Sequence, residues 1–239
     1  MAQRGPQSIR EVRGRAARAA CAGWAGLALA PAAAAGGERV DLGLELGSRT
    51  PGTPTPLALD LRFKPSGDPD GKPSPIRSAA ISAPPGTRFD LGAVPACKAT
   101  DEELRALARD ACPAASRIGA GALTAVTGFG PPVDPFEADL TLFNTPSGFV
   151  ELVTDRGSGR TLGFDRATVE GNTATLAPPR SPGGPPDGET AVRRVAFTID
   201  APGYVRTPPD CPADGHWRST GTFGFADGVT ATEGASTPC

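Results

Sequence analysis

The sequence predicts an all-β protein: an antiparallel two-sheet sandwich of about ten short strands, with one short helix near residues 101–111. Apolar and polar residues alternate over many short segments, which is typical of half-buried strands. Clusters of glycine and proline (31 and 27 of 239 residues) separate these segments as turns. Strands and helices do not alternate, which favours packed antiparallel sheets over a parallel sheet. A single strongly curved sheet around a hydrophobic ligand is the alternative architecture.

The first segment, residues 1–35, has the pattern of a secretory signal peptide, ahead of a single predicted domain at 36–239. Five arginines precede an apolar stretch from Ala19 to Ala30, and small residues at 33–35 offer a cleavage site. The apolar stretch is shorter than the roughly 20 residues that span a bilayer, so a membrane anchor is the less favoured alternative. We therefore expect a secreted or extracytoplasmic protein that loses Cys21 with its signal.

The predicted mature chain is acidic. Five of the 24 basic residues and one of the 26 acidic residues lie in the signal, so its loss leaves a net charge of about −6. An acidic surface repels phosphate backbones and anionic lipids, so no nucleic-acid partner is expected. Contact with a membrane is expected through the signal segment alone, if that segment is uncleaved. A partner in the cell envelope or outside the cell is expected, without a definite identity.

The expected strands follow from period-two alternation and from the turns between them. The segment 56–63 is the clearest, because Leu57, Leu59, Leu61 and Phe63 share one face. Strands 136–143, 149–153 and 161–169 are joined by short turns and predict an antiparallel meander. In chain order, the expected strands are 40–46, 56–63, 75–82, 118–127, 136–143, 149–153, 161–169 and 190–200, with a terminal hairpin at 211–239. The proline-rich segment 177–188 is expected to be a loop.

The predicted helix begins at a capping box, in which Thr100 precedes Asp101, Glu102 and Glu103. Apolar residues follow at helical spacing until Pro113 ends the run.

Four cysteines remain after the predicted cleavage, namely Cys97, Cys112, Cys211 and Cys239. An even number in an exported chain predicts two disulfides, for which three pairings exist. We favour Cys97–Cys112 and Cys211–Cys239 because each pair brackets a compact local unit. The first pairing is tight, since about ten helical residues would span roughly 15 Å. A zinc site is a weaker alternative, because the sequence has no C-x-x-C motif and one histidine.

Candidate catalytic residues form no recognisable motif. His216 is the one base available to a serine hydrolase, with Ser116, Ser147 and Ser158 as possible nucleophiles, and none lies in a G-x-S-x-G motif. A glycosidase would need two converging carboxylates, for which the meander offers Glu137, Asp139, Glu151, Asp155 and Asp165. Alternation places these acids on the solvent face. Asp68 and Asp70 lack the further ligands of a calcium loop, so we expect an ordinary turn there.

Two sequence blocks carry a resemblance. The first runs from Cys97 through Cys112-Pro113 to Ser116 and Gly119-Ala120-Gly121. The second combines Cys211-Pro212, Gly215-His216-Trp217, Phe225-Ala226-Asp227-Gly228 and Cys239. Together they resemble uncharacterised exported, disulfide-containing β proteins of actinobacteria and their high-GC relatives. The resemblance implies no activity and no catalytic residue.

The expected function is a secreted or cell-envelope structural or binding domain, without a cofactor, a metal or a catalytic residue. One alternative is a carrier of an apolar, lipid-like ligand, which requires an interior cavity of roughly 300 Å³ or more. The other is a carboxylate-based hydrolase, which requires two acids to converge in a concave pocket.

Overall fold

The computed structural model describes residues 39–65, 71–129 and 135–239, which form mostly antiparallel strands. The predicted signal segment, with Cys21, and the turn containing Asp68 and Asp70 lie outside the described residues. The strands are β1 (Val40–Leu46), β2 (Leu57–Phe63), β3 (Ile76–Ser82), β4 (Arg88–Phe89), β5 (Arg117–Val126), β6 (Pro135–Thr145), β7 (Gly148–Asp155), β8 (Thr161–Glu170), β9 (Thr173–Leu176), β10 (Ala191–Ile199), β11 (Val205–Arg206), β12 (His216–Phe225) and β13 (Thr230–Pro238). Helix α1 spans Asp101–Leu107, and single 3₁₀ turns cover Ala108–Ala111 and Ala114–Ser116.

Eleven strands form one continuous antiparallel sheet in the order β1-β2-β10-β5-β6-β7-β8-β9-β3-β12-β13. The two edge strands, β1 and β13, lie side by side. The hydroxyl Oγ1 of Thr237 on β13 donates a hydrogen bond to the backbone oxygen of Leu44 on β1, at 2.8 Å. The sheet therefore curves almost completely around into the shape of a barrel.

This architecture confirms the antiparallel all-β class with one short helix and corrects the expected number of layers. The sequence pattern favours two sheets, whereas every neighbouring pair of the 11 strands is hydrogen-bonded into a single sheet. Register shifts interrupt the β10–β5, β5–β6, β7–β8 and β12–β3 ladders. Because such irregularities bend and twist strands, they allow a single sheet to close without splitting into two.

The main core lies inside this sheet. Leu57, Leu59, Leu61 and Phe63 of β2 are all buried, as their alternation predicts. The ring of Phe63 packs edge-on against that of Phe223 with centroids 5.7 Å apart, which links β2 to β12 across the interior. Fully burying a side chain of this size contributes roughly 1.5–3 kcal/mol, so the inward row of β2 is a major stabilising element.

The small residues of β5 allow its close approach to β10. A Cβ added at Gly121 would lie 2.1 Å from the backbone oxygen of Ala196 and 2.5 Å from Cβ of Phe197. The glycine is therefore required by contact with the neighbouring strand.

A disulfide-bonded helical unit covers the outside of the meander β6-β7-β8. Thr100 and Glu103 form the predicted capping box. Leu104, Cys97 and Cys112 pack with Val150 and Leu152 from the outer face of β7. The α-helix is shorter than the sequence suggested, because Ala108 adopts a positive φ of 54° and the chain continues as a 3₁₀ turn. This early end brings the Cα atoms of Cys97 and Cys112 to 5.0 Å, within a disulfide.

The second disulfide, Cys211–Cys239, ties the base of the hairpin formed by β12 and β13. Both bridges thus confirm the predicted pairing, in which each disulfide brackets a compact local unit. The backbone N–H of Cys239 donates to the oxygen of Gly215 at 3.0 Å, which holds the last residue against the start of the hairpin.

One end of the barrel is closed by polar contacts to a loop. The buried side chain of Asn144 donates from Nδ2 to the backbone oxygens of Leu91 and Val94, at 2.9 and 3.1 Å. Tyr204 is fully buried and its hydroxyl donates to the oxygen of Gly148 at 3.2 Å. The short β4–β11 pair lies next to Tyr204, whose ring contacts that of Phe89.

Replacing Gly121 by alanine tests the close contact between β5 and β10. We expect Gly121→Ala to lower the free energy of unfolding by about 1–3 kcal/mol, because the added methyl group forces two strands apart. Urea denaturation measures the change. Gly163→Ala in β8 is the matched control, since an added Cβ there meets nothing within 4 Å; equal effects of the two substitutions would contradict the argument.

Removing the first disulfide tests the importance of the helical unit. We expect the double substitution Cys97→Ala and Cys112→Ala to lower the free energy of unfolding by about 3 kcal/mol relative to the oxidised unmodified protein. The reason is that the disulfide closes a loop across a separation of 15 residues in the unfolded chain, which the variant lacks. Hydrogen exchange should rise in α1 and in the strands that it covers, β7 and β8. Exchange that rises instead across the whole sheet would contradict the local covering role.

Candidate functional site

Two carboxylic side chains face each other inside the barrel. Glu151 of β7 and Asp165 of β8 occupy directly opposite positions in the antiparallel ladder. In such a pair the Cβ atoms lie about 4.5–5.5 Å apart. Asp165 is half-buried and Glu151 is 7% exposed.

The interior position of Glu151 follows from the period of two along β7. The outer face of this strand carries Val150 and Leu152, which are buried under the helical unit. The alternate residues Phe149 and Val153 pack into the main core inside the sheet. Glu151 lies between them in sequence and therefore shares their inward direction.

Side chains of β8 likewise alternate between the outer face and the interior of the sheet. Arg166 points outward, where its Nε donates to Asp101 at 2.8 Å and its Nη2 to the oxygen of Ala99 at 2.7 Å. Its neighbour Asp165 therefore points inward, beside the buried Ala167. The disulfide-bonded unit is thus bound to the outer faces of both strands that carry the two acids.

The carboxyl groups line a cavity of about 110 Å³. Apart from these two acids, every described residue around the cavity is apolar. Its walls include Leu59, Leu61, Phe149, Ala167, Val195 and Phe197. For comparison, an engineered apolar cavity of about 150 Å³ holds a benzene molecule.

Burial disfavours ionisation of both acids. It raises the pKa of Glu151 to about 8, with a further contribution from the nearby charge of Asp165. Burial alone raises the pKa of Asp165 to about 6. Neither carboxyl group forms a hydrogen bond or an ion pair with another residue in the described part of the chain. At neutral pH the pair consequently holds about one proton and one negative charge.

A second cavity, of about 480 Å³, adjoins the first at the opposite end of the barrel from Tyr204. The two cavities share Asp165, Leu123 and Val192, among other residues. We call them the inner and the outer cavity. Asp165 therefore lies at their junction, while Glu151 lines the inner cavity.

The proline-rich loop 177–188 forms one wall of the outer cavity through Pro178, Pro179 and Pro182. As the sequence predicts, this loop joins no ladder. Lys72 is almost fully buried beneath it and donates from Nζ to the oxygen of Gly184 at 3.0 Å, as well as to Asp187 and to the backbone oxygen of Glu189.

A bidentate ion pair holds the end of this loop. Arg77 of β3 donates to both carboxylate oxygens of Glu189, at 2.8 and 2.6 Å. The pairing lowers the pKa of Glu189, so the contact persists as an ion pair at neutral pH. The loop is consequently attached to the barrel wall beside the outer cavity.

The structure separates the five acids that the sequence placed on the solvent face. Glu137 and Asp139 lie outside and pair with Arg156, at 3.1 and 2.8 Å. Asp155 lies at the rim of the outer cavity and accepts hydrogen bonds from Ser158. The expectation was wrong for Glu151 and Asp165, because the outer faces of their strands are covered by the helical unit.

The residues of a possible serine triad are not brought together. His216 is exposed and its Nδ1 lies 2.8 Å from the backbone oxygen of Asp214. Ser116 is buried and donates to the oxygen of Pro113 at 2.6 Å. Ser147 and Ser158 are exposed at turns on opposite ends of the meander. Within the described residues, none of these serines hydrogen-bonds to His216.

Metal ligands do not converge at this site. Within residues 39–65, 71–129 and 135–239, no group of three or more His, Cys, Asp or Glu side chains is placed to hold a metal ion. In the same part of the chain, no helix is both long and apolar enough to cross a membrane.

Comparison of the chain with protein-family models, with curated proteins and with solved structures finds no match. The resemblance to exported actinobacterial proteins therefore stays a prediction from the sequence.

The raised pKa values predict that stability falls as pH rises. A carboxyl group whose pKa is higher in the folded than in the unfolded protein stabilises the fold at low pH, and this contribution is lost between about pH 4 and its folded pKa, about 8 for Glu151. We expect the free energy of unfolding to fall by about 2–4 kcal/mol between pH 5 and pH 9. Urea denaturation across this range measures the slope.

Glu151→Gln should remove most of that slope, because the amide does not ionise. Glu45→Gln, at an exposed position of β1, is the matched control and should keep the slope of the unmodified protein. Equal slopes in all three proteins would show that Glu151 does not titrate in the folded interior.

Proposed function

We propose that this protein is an extracytoplasmic binding domain that carries a small, mainly apolar molecule inside its barrel-shaped sheet. The observation that supports this proposal is the apolar inner cavity and its continuation toward the outer cavity at one end of the sheet. An ordinary packed interior leaves few voids larger than a water molecule.

The sizes of the two cavities define what the ligand could be. The inner cavity, at about 110 Å³, is smaller than the roughly 300 Å³ expected of a carrier, and the outer one is about 480 Å³. The inner cavity would accept a short hydrocarbon chain or one small ring. The outer cavity has a more polar lining and would accept the rest of the molecule.

Location outside the cytoplasm is supported by two independent features. The two disulfides are consistent with an oxidising compartment. The arginine-rich and then apolar start of the sequence has the pattern of a signal peptide. Residence in the cell envelope and release into the medium are both part of this proposal, and fractionation of producing cells distinguishes them.

A carboxylate-based hydrolase is the second candidate, because two acids do converge in a cavity. Opposite positions on neighbouring strands leave little room for a substrate between Glu151 and Asp165. The apolar walls also offer no further polar groups to bind sugar hydroxyls. Carrier function therefore fits the geometry better, and hydrolysis of chromogenic glycosides that is lost in Glu151→Gln would reverse this preference.

Binding of linear alcohols tests the carrier function. We expect 1-hexanol to bind the oxidised protein and to raise its midpoint of thermal unfolding, because its chain occupies the apolar cavity. Ala167→Leu should weaken the binding at least about tenfold, since its larger side chain fills part of the cavity that Ala167 lines.

The matched control is Ala58→Leu, which adds the same side chain at an exposed position of β2 and should leave binding unchanged. Absence of hexanol binding to the unmodified protein, by both calorimetry and thermal unfolding, would refute the carrier proposal. Unchanged binding in a folded Ala167→Leu protein would place the ligand elsewhere.

A further inference from the structure

We infer that Glu151 and Asp165 bind the ammonium group of a protonated primary amine whose hydrocarbon part occupies the inner cavity. This inference rests on the proposed carrier function and specifies the chemical class of the ligand. Two independent observations support it: the position of the two carboxyl groups in an otherwise apolar chamber, and the absence of any described protein partner for the buried Glu151.

The two carboxyl groups are placed to bind one polar end of a ligand. Asp165 lies at the junction of the inner and outer cavities, and Glu151 lies directly opposite it on β7. A hydrocarbon chain in the inner cavity would contact its apolar walls. The polar end group of the same molecule would then lie at the junction, beside Asp165. A group with several hydrogen-bond donors can then reach both carboxyl groups.

The isolation of Glu151 points to a ligand with donors. A polar side chain that is 7% exposed normally has a hydrogen-bond partner, because an unpaired buried group costs about 1–3 kcal/mol. The described residues that line the same cavity come from several strands and include Leu61 of β2, Ala174 of β9 and Val195 of β10. No described lysine, arginine or histidine lines the inner cavity, and Arg77, which lines the outer cavity, is paired with Glu189.

The charge of the site selects a monovalent cation. Two carboxyl groups that share about one proton carry one negative charge, which one ammonium group neutralises. A divalent metal ion such as calcium would need six to eight oxygen ligands, and the inner cavity offers two carboxyl groups among hydrocarbon walls. A primary ammonium has three donors and therefore suits two acceptors close together.

Binding of the cation changes the protonation of the site. The amine enters as the ammonium ion, because its pKa lies near that of lysine, about 10.4. The positive charge lowers the pKa of both carboxyl groups, so part of the proton that they share passes to the buffer. Binding at pH 7 should therefore release up to one proton for each amine bound.

Calorimetry with n-hexylamine and 1-hexanol tests the inference. The two probes share a hydrocarbon chain and differ in the end group. We expect hexylamine to bind the unmodified protein at pH 7 about tenfold more tightly than hexanol, because it adds charge-assisted hydrogen bonds. Titrations in buffers of different ionisation enthalpy should show the released proton.

The double substitution Glu151→Gln and Asp165→Asn should remove the preference for hexylamine while hexanol still binds. Glu45→Gln is the matched control, because it removes one exposed carboxylate and should keep the full preference and the proton release. Circular dichroism and hexanol binding confirm that the double variant is folded.

The outcomes separate this inference from the function on which it rests. Equal binding of both probes, without proton release, would refute amine recognition and leave the carrier function intact. If neither hexylamine nor hexanol bound the unmodified protein, the carrier function itself would be refuted. Preference for hexylamine that survives the double substitution would place the ammonium group at another acidic site.

Discussion

Near-closure of the 11-stranded sheet is the constraint on which the rest of the structure depends. Because side chains alternate along every strand, closing the sheet divides them into one row inside and one row outside. The hydrogen bond between Thr237 and Leu44 joins the two edges where no ladder forms. The cavity inside the sheet is lined almost entirely by apolar residues. This environment disfavours ionisation of Glu151 and Asp165 and raises the pKa of both carboxyl groups.

The disulfide-bonded helical unit determines which side of the meander is outside. Its contacts with Val150 and Leu152 bury the outer face of β7, so this strand is covered on both sides. The oxidised Cys97–Cys112 bridge thereby stabilises the strands that carry Glu151 and Asp165. Oxidation of this cysteine pair and formation of the interior site are therefore linked through the helical unit.

The carboxyl pair reduces the stability of the fold above neutral pH, since its ionised form is poorly solvated. Hydrocarbon side chains in the same positions would not carry this cost. Interior polar groups that oppose stability are a common feature of functional sites, where a ligand offsets the cost. This balance connects the expected pH dependence of unfolding with the proposed recognition of an amine.

The sequence by itself determined the local elements, because alternation, turn residues and a capping box act over a few neighbours. Strands such as β2, the helix start at Thr100 and the bracketing cysteines were all predicted in this way. The inward direction of the Glu151 side chain was not predicted. The two residues before it and the two after it are all apolar, so alternation alone does not say which face of β7 is inside. Only the tertiary structure decided this, by placing the helical unit against Val150 and Leu152. The single curved sheet was likewise decided by long-range pairing, because the strands β3, β10 and β12 join partners far away in the chain.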